Sequence, residues 1–160
     1  MWGDLIRTCI TIKLNNYDSE ILIIDKSPLK LDVIDCINID KGIKELKRLN
    51  IKREFIKNIK EIIKKYNIKE VFFVVQNSQI IIREYKDLPK IRKRDLDGYI
   101  KFEILQESLL TLDDYIVKYK ILDYRKNKMD LQIILFPKEI EKICLDIATC
   151  LNLKHKYLNM

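Results

Sequence analysis

A chain of 160 residues that is 48% hydrophobic has enough apolar material for one domain or two small subdomains, which excludes wholesale disorder. Its longest apolar runs, 71–75 and 131–137, are strand-sized and far too short to span a bilayer. The formal net charge of +7 suits nucleic acid or an anionic membrane surface, yet lysines are spread along the whole sequence. Only Lys90, Arg92, Lys93 and Arg94 form a dense basic cluster, and no basic–aromatic RNA-binding signature accompanies it, so a nucleic-acid partner is not expected.

Residues 8–14, "TCITIKL", and 20–25, "EILIID", are predicted strands, and "NNYDS" between them has the Asn/Asp/Ser chemistry of a hairpin turn. A third strand is expected within 30–39. There Leu31, Val33, Asp35 and Ile37 alternate with Asp32, Ile34, Cys36 and Asn38, so its two faces are poorly distinguished. Over 52–66, Phe55, Ile56, Ile59, Ile62, Ile63 and Tyr66 recur at helical spacing, and Asn67 is the expected C-cap. "EVFFVV", 70–75, has the continuous apolar character of a strand buried on both faces, and 79–85 is predicted to be another strand.

The next predicted helix, 93–107, carries two apolar sides rather than one. On a helical wheel Leu96, Ile100 and Ile104 share one side, while Gly98, Phe102 and Leu105 share another. Glu103 falls beside Leu96 and Tyr99, where a carboxylate needs a partner. Strands are expected at 115–122 and 129–136, joined by the loop "DYRKNK". Pro137 is expected to open a helix running to Leu151, with Ile140, Ile143, Cys144, Ile147 and Leu151 on one face. "LNLKHKYLNM" reads as a turn and the start of a further element. The order is β-β-β-α-β, then β-α-β-β, then α, an α/β chain with no internal repeat.

Catalytic motifs are missing. Three glycines, at 3, 42 and 98, cannot build a nucleophile elbow, a Walker loop or a GxGxxG turn. His155, the single histidine, sits among lysines and is expected on the surface. Asp113 and Asp114 are expected to mark an element boundary. Cys9, Cys36, Cys144 and Cys150 are widely spaced and are expected to be reduced thiols in or near the core. No catalytic, cofactor or metal residue is therefore expected, nor an enzyme. The N-terminus shows no basic segment followed by a long apolar one, so the expected location is cytoplasmic.

From about Val71 to Leu153 the sequence resembles the PilM family of type IV pilus assembly proteins. The carriers are "VFFVVQNSQIIIREYKDLP", "DLDGYIKFEILQESLLTLDDYIVKYKIL" and "KMDLQIILFPKEIEKICLDIATCLNLK". Leu88-Pro89, Ile100, Phe102-Glu103, Asp113-Asp114 and the 137–151 helix fall in the family's order and spacing. The resemblance implies half of an actin-like (ribonuclease H-like) domain at 1–76, a β-α-β-β (SHS2-like) insertion at 77–136, and a helix at 137–160 returning to the first subdomain. It also implies a non-enzymatic cytoplasmic adaptor, held peripherally at the inner membrane face without inserting into it. Such proteins bind the N-terminal cytoplasmic peptide of the membrane protein PilN near the junction of subdomain and insertion. Arg83, Leu88, Tyr99, Phe102 and Glu103 are the residues expected to meet that partner.

Two departures from the family matter. Where it carries a glycine–aspartate phosphate loop, this chain has Thr11-Ile12-Lys13-Leu14-Asn15, and its sequence stops where the family's second actin-like half would begin. ATP is accordingly not an expected cofactor. The short proline-containing turn is replaced by Ser108-Leu109-Leu110-Thr111. Self-association would fit apolar surface left by a missing half. Related adaptors of type II secretion (GspL-like) or cell division (FtsA-like), and a basic nucleic-acid-binding module, are the alternative readings.

Overall fold

The computed structural model describes residues 7–26, 30–107 and 112–155. Along the chain these form β1 (Arg7–Leu14), β2 (Ser19–Lys26), β3 (Leu31–Ile39), α1 (Ile43–Leu46), α2 (Leu49–Tyr66), β4 (Glu70–Val75), β5 (Ile81–Pro89) and α3 (Lys93–Glu107). A 3-10 turn (Leu112–Asp114), β6 (Tyr115–Tyr124), β7 (Lys128–Pro137), α4 (Lys138–Leu151) and β8 (Lys154–His155) follow. Two compact units result: Met1–Asn77 with Lys142–Met160, and Ser78–Glu141.

The first unit is built on a five-stranded sheet ordered β3-β2-β1-β4-β8. Antiparallel β1–β2 and parallel β1–β4 registers place Ile10 beside Ile23 and Val71, and Ile12 beside Ile21 and Phe73. All six are buried, each stabilising the fold by roughly 1.5–3 kcal/mol. Phe55, Ile56 and Ile59 of α2 and Ile143, Cys144, Ile147, Ala148 and Leu151 of α4 complete this core. Lys52 of α2 and Asp146 of α4 form an ion pair at 2.6 Å. Asn67 ends α2 in the left-handed region (φ 51°), its N–H donating to the carbonyl of Ile63, as its side chain and position predict.

Several elements differ from the sequence reading. β4 is not buried on both faces: Val71 and Phe73 are, but Val74 is 44% exposed and Phe72 half-buried. Its apolar run reflects the strand preference of Val and Phe as much as burial. β3 is an edge strand, and a bulge between Ile23 and Ile24 shifts its register, leaving Leu31, Val33 and Ile34 exposed. α1 was not predicted, because its two buried residues, Ile43 and Leu46, span too short a window for periodicity. Cys36 and Cys150 are exposed, whereas Cys9 and Cys144 are buried. Pro137 closes β7 opposite Tyr115 instead of opening α4. The element begun by "LNLKHKYLNM" is β8, parallel to β4 through Glu70–Lys154 and Val71–His155; the side chain of His155 lies outside the described residues.

The second unit is an antiparallel sheet ordered β5-β7-β6 crossed by α3. One face of central β7 carries Met129, Leu131, Ile133 and Leu135, which meet Leu96 and Ile100 of α3. Ile81, Tyr85, Leu88, Ile91, Tyr115, Val117 and Tyr119 pack around them. β5 outlasts its predicted end because pairing resumes after an irregularity between Tyr85 and Leu88, where Asp87 takes φ 56°. Asp113 and Asp114 lie in the 3-10 turn that leads into β6. The turn at 108–111 and the side chains of Ile104 and Leu105 lie outside the described residues.

Candidate functional site

The β1–β2 turn, residues 15–18, stands where the sequence resemblance implies a phosphate loop. Its backbone is already engaged by the start of α1: Ile43 N–H donates to Asn15 C=O at 2.9 Å and Lys44 N–H to Asn16 C=O at 3.1 Å. Gly42 lies directly on the Asn16–Tyr17 peptide, so close that a Cβ there would overlap the Tyr17 nitrogen. Ser19 Oγ donates to Lys41 C=O at 2.5 Å, and Asn77 Nδ2 donates to Asn16 Oδ1 at 2.5 Å. Asn15 Oδ1 is buried and, among the described residues, accepts no hydrogen bond, while Asn15 Nδ2 donates to the Asp18 carboxylate. Acceptors and a carboxylate repel phosphate, and Gly42 covers the Asn16–Tyr17 peptide. These residues do not fit a nucleotide; the turn is a structural latch.

Sequence reasoning missed this latch. Its one local signal is Gly42-x-x-Glu45, in which Glu45 Oε2 accepts from Gly42 N–H at 3.1 Å. The contacts with residues 15, 16 and 77 are long-range, with no local signature.

The five expected partner residues fall in the second unit. Arg83 stands on the helix-facing side of β5, opposite Ile133, and is half-buried. Leu88 packs against the α3–sheet core. Leu96, Tyr99, Ile100 and Glu103 share one stripe of α3: Leu96 and Ile100 are 1% exposed, and Tyr99 and Glu103 are half-buried beside them. Phe102 lies apart on the outward side and is 56% exposed. A Cβ at Gly98, one turn earlier on that side, would meet no atom within 4 Å beyond its chain neighbours and its own helix backbone. Thus one apolar side of α3 is core, and the other presents an aromatic ring next to bare backbone.

A charge network sits where β5 ends. Arg125 reaches Asp87 at 3.1 Å, Asp123 at 3.1 Å and Asp130 at 2.5 Å, and Lys128 reaches Asp87 at 3.2 Å. The hydrogen bond from Lys128, then the charges of Lys128 and Arg125, hold the Asp87 carboxyl below its ordinary value of 3.8. A depressed folded pKa stabilises above the unfolded value and loses that contribution as pH falls through the folded one. Asp87→Asn, which tolerates the positive φ, is therefore expected to lower the urea midpoint at neutral pH. The gap to the parent should shrink below about pH 4. A gap of constant size from neutral to acid pH would remove the ion pairs as its cause.

Among the described residues no group of His, Cys, Asp and Glu is placed to hold a metal, and no helix is long and apolar enough to cross a membrane. No protein-family model and no curated protein matches the sequence. Solved structures do. The chain is similar to the PilM–PilN type IV pilus biogenesis complex, with a TM-score of 0.70 and 10% identity, over 95% of this chain and 47% of that one. It is also similar to the cytoplasmic domain of EpsL, an inner-membrane component of the type II secretion system of Vibrio cholerae. There the TM-score is 0.61 and the identity 16%, over 93% of this chain and 55% of that one. The chain thus spans about half the length of the solved chains it matches, and at these identities the likeness is one of fold: mixed α/β with two sheets.

Proposed function

We propose that this chain is a non-enzymatic cytoplasmic adaptor of type IV pilus assembly, held at the inner face of the membrane by the N-terminal peptide of a PilN-like protein. The observation that carries the reading is the outward side of α3 within a PilM-like fold. Phe102 is exposed there, and Gly98 leaves the helix backbone open to close approach. A glycine inside a helix costs about 1 kcal/mol relative to alanine, and no internal contact at Gly98 offsets that cost. An extended peptide placing apolar side chains against Phe102 uses both features. Tyr99, Glu103, Arg83 and Leu88, on or beside the α3–sheet layer, are the other residues assigned to the partner.

Two or three apolar side chains contribute several kcal/mol before association costs, so a dissociation constant on the order of micromolar is expected. Calorimetric titration with the N-terminal cytoplasmic peptide of the organism's own PilN-like protein tests this, with ATP and magnesium titrated in parallel. A silent peptide titration would reduce the likeness to fold alone. The EpsL similarity favours a second reading, the corresponding adaptor of a type II secretion system, and a type II partner peptide in the same titration separates the two.

A further inference from the structure

The densest basic run of the sequence has no part in the peptide reading. Pairing of β5 with β7 sets Pro89 opposite Lys128. Lys90, Arg92, Lys93 and Arg94 therefore leave the sheet at the same end as the β6–β7 turn, which carries Arg125, Lys126 and Lys128. Two contacts join the segments. Lys90 N–H donates to Asn127 C=O at 3.2 Å, and the Lys90 ammonium stands 4.3 Å from the centre of the Tyr124 ring. Stretches distant in sequence thus make one basic end of the second unit.

Of the five carboxylates at this end, set against the seven cations named, four have cationic partners and the fifth, Asp97 near the start of α3, is exposed. Asp87, Asp123 and Asp130 belong to Arg125 and Lys128, and Asp95 lies 3.6 Å from Arg94. Lys90, Arg92, Lys93 and Lys126 are exposed and, among the described residues, have no carboxylate partner. The matched set fixes the turn, and the unmatched set points its charge at solvent from a structured base. We propose that this end of the unit docks on an anionic membrane surface, the four cations that lack a carboxylate partner meeting the phosphates of acidic lipid headgroups.

Charge complementarity decides the class of partner, and Tyr124 decides between an anionic membrane and a single-stranded nucleic acid. A half-exposed tyrosine among lysines suits the headgroup region of a bilayer. Binding of single-stranded nucleic acid uses free aromatic faces for base stacking, whereas Lys90 stands over the Tyr124 ring. The inference is independent of the peptide reading, since none of these residues is among those proposed to meet the peptide.

Flotation of the full chain with vesicles tests it, using phosphatidylcholine alone and an equimolar mixture with phosphatidylglycerol, at low and high salt. The variant Lys90→Gln/Lys93→Gln/Lys126→Gln is compared with Lys57→Gln/Lys60→Gln/Lys64→Gln, which removes the same charge from the exposed side of α2. The first variant is expected to lose partitioning to anionic vesicles on the order of 100-fold, the second less than about 3-fold. Equal loss in both would assign the binding to diffuse net charge and overturn the proposal. So would no binding to anionic vesicles, or tighter binding of an oligonucleotide lost by the same first variant.

Discussion

Gly42→Ala is expected to cost about 3 kcal/mol, an effect out of proportion to one methyl group. The backbone at Gly42 is extended (φ −114°, ψ −167°), a conformation any residue adopts, so the cost is not conformational. Replacing glycine at such a site ordinarily stabilises by about 0.4–1 kcal/mol through the unfolded chain. Here sterics reverse the sign. The new Cβ would overlap the Asn16–Tyr17 peptide, which is backbone and has no rotamer to escape into. Nor can the turn move as a whole: Ile43, Lys44 and Asn77 hold its carbonyl and amide oxygens, and Gln76 N–H bonds Leu14 C=O at 3.0 Å just before it. Relief therefore means breaking the latch, which anchors the start of α1 and the buried Ile43 and Leu46 behind it. The urea midpoint should fall by more than about 1 M with little change in slope. A shift within roughly 0.3 M would show a turn that yields, and with it a site with more room for a ligand than these contacts leave.

How far the sequence carried the fold depended on whether its signals were local. α2, with its lysine face and asparagine cap, was legible because burial on one face imposes the period directly, and β7 because its apolar run is strand-sized and mostly buried. β3 was ambiguous for a reason the structure supplies: an edge strand with a bulge has no single buried face, so no alternation is selected. Lys86-Asp87 hid the length of β5, since two charged residues look like a strand's end, and the positive φ of Asp87 after which pairing resumes has no mark in the sequence. At the candidate site the split is similar. That α3 has two apolar sides was readable from spacing, but the exposure of Phe102 depends on which side the β7 residues cover. The latch at Gly42 and the joining of Lys90 to the β6–β7 turn were not readable, because each pairs segments whose partners carry no mark of one another.

The two sides of α3 are separated by a second pair of substitutions with opposite profiles. Ile100 is 1% exposed and packs among Met129, Leu131, Ile133 and Leu135, so Ile100→Ala leaves a cavity in the centre of a small core. The expected cost is roughly 2–5 kcal/mol, a large part of the stability of a unit this size. Phe102→Ala removes more atoms but mostly from solvent, and its cost should stay within about 1 kcal/mol. In the peptide titration the order reverses. Loss of an aromatic anchor from a docking surface typically costs about 2 kcal/mol or more, so Phe102→Ala should weaken the peptide roughly 30-fold. Ile100→Ala, measured at a temperature where it remains folded, should bind nearly as the parent does, because its side chain lies beneath the surface. If Phe102→Ala instead destabilises the unit as much as Ile100→Ala does, Phe102 is core and the outward side of α3 is not where a partner binds. A phenylalanine whose removal leaves both stability and binding untouched would move the peptide elsewhere on the fold while leaving the adaptor reading to the titration itself.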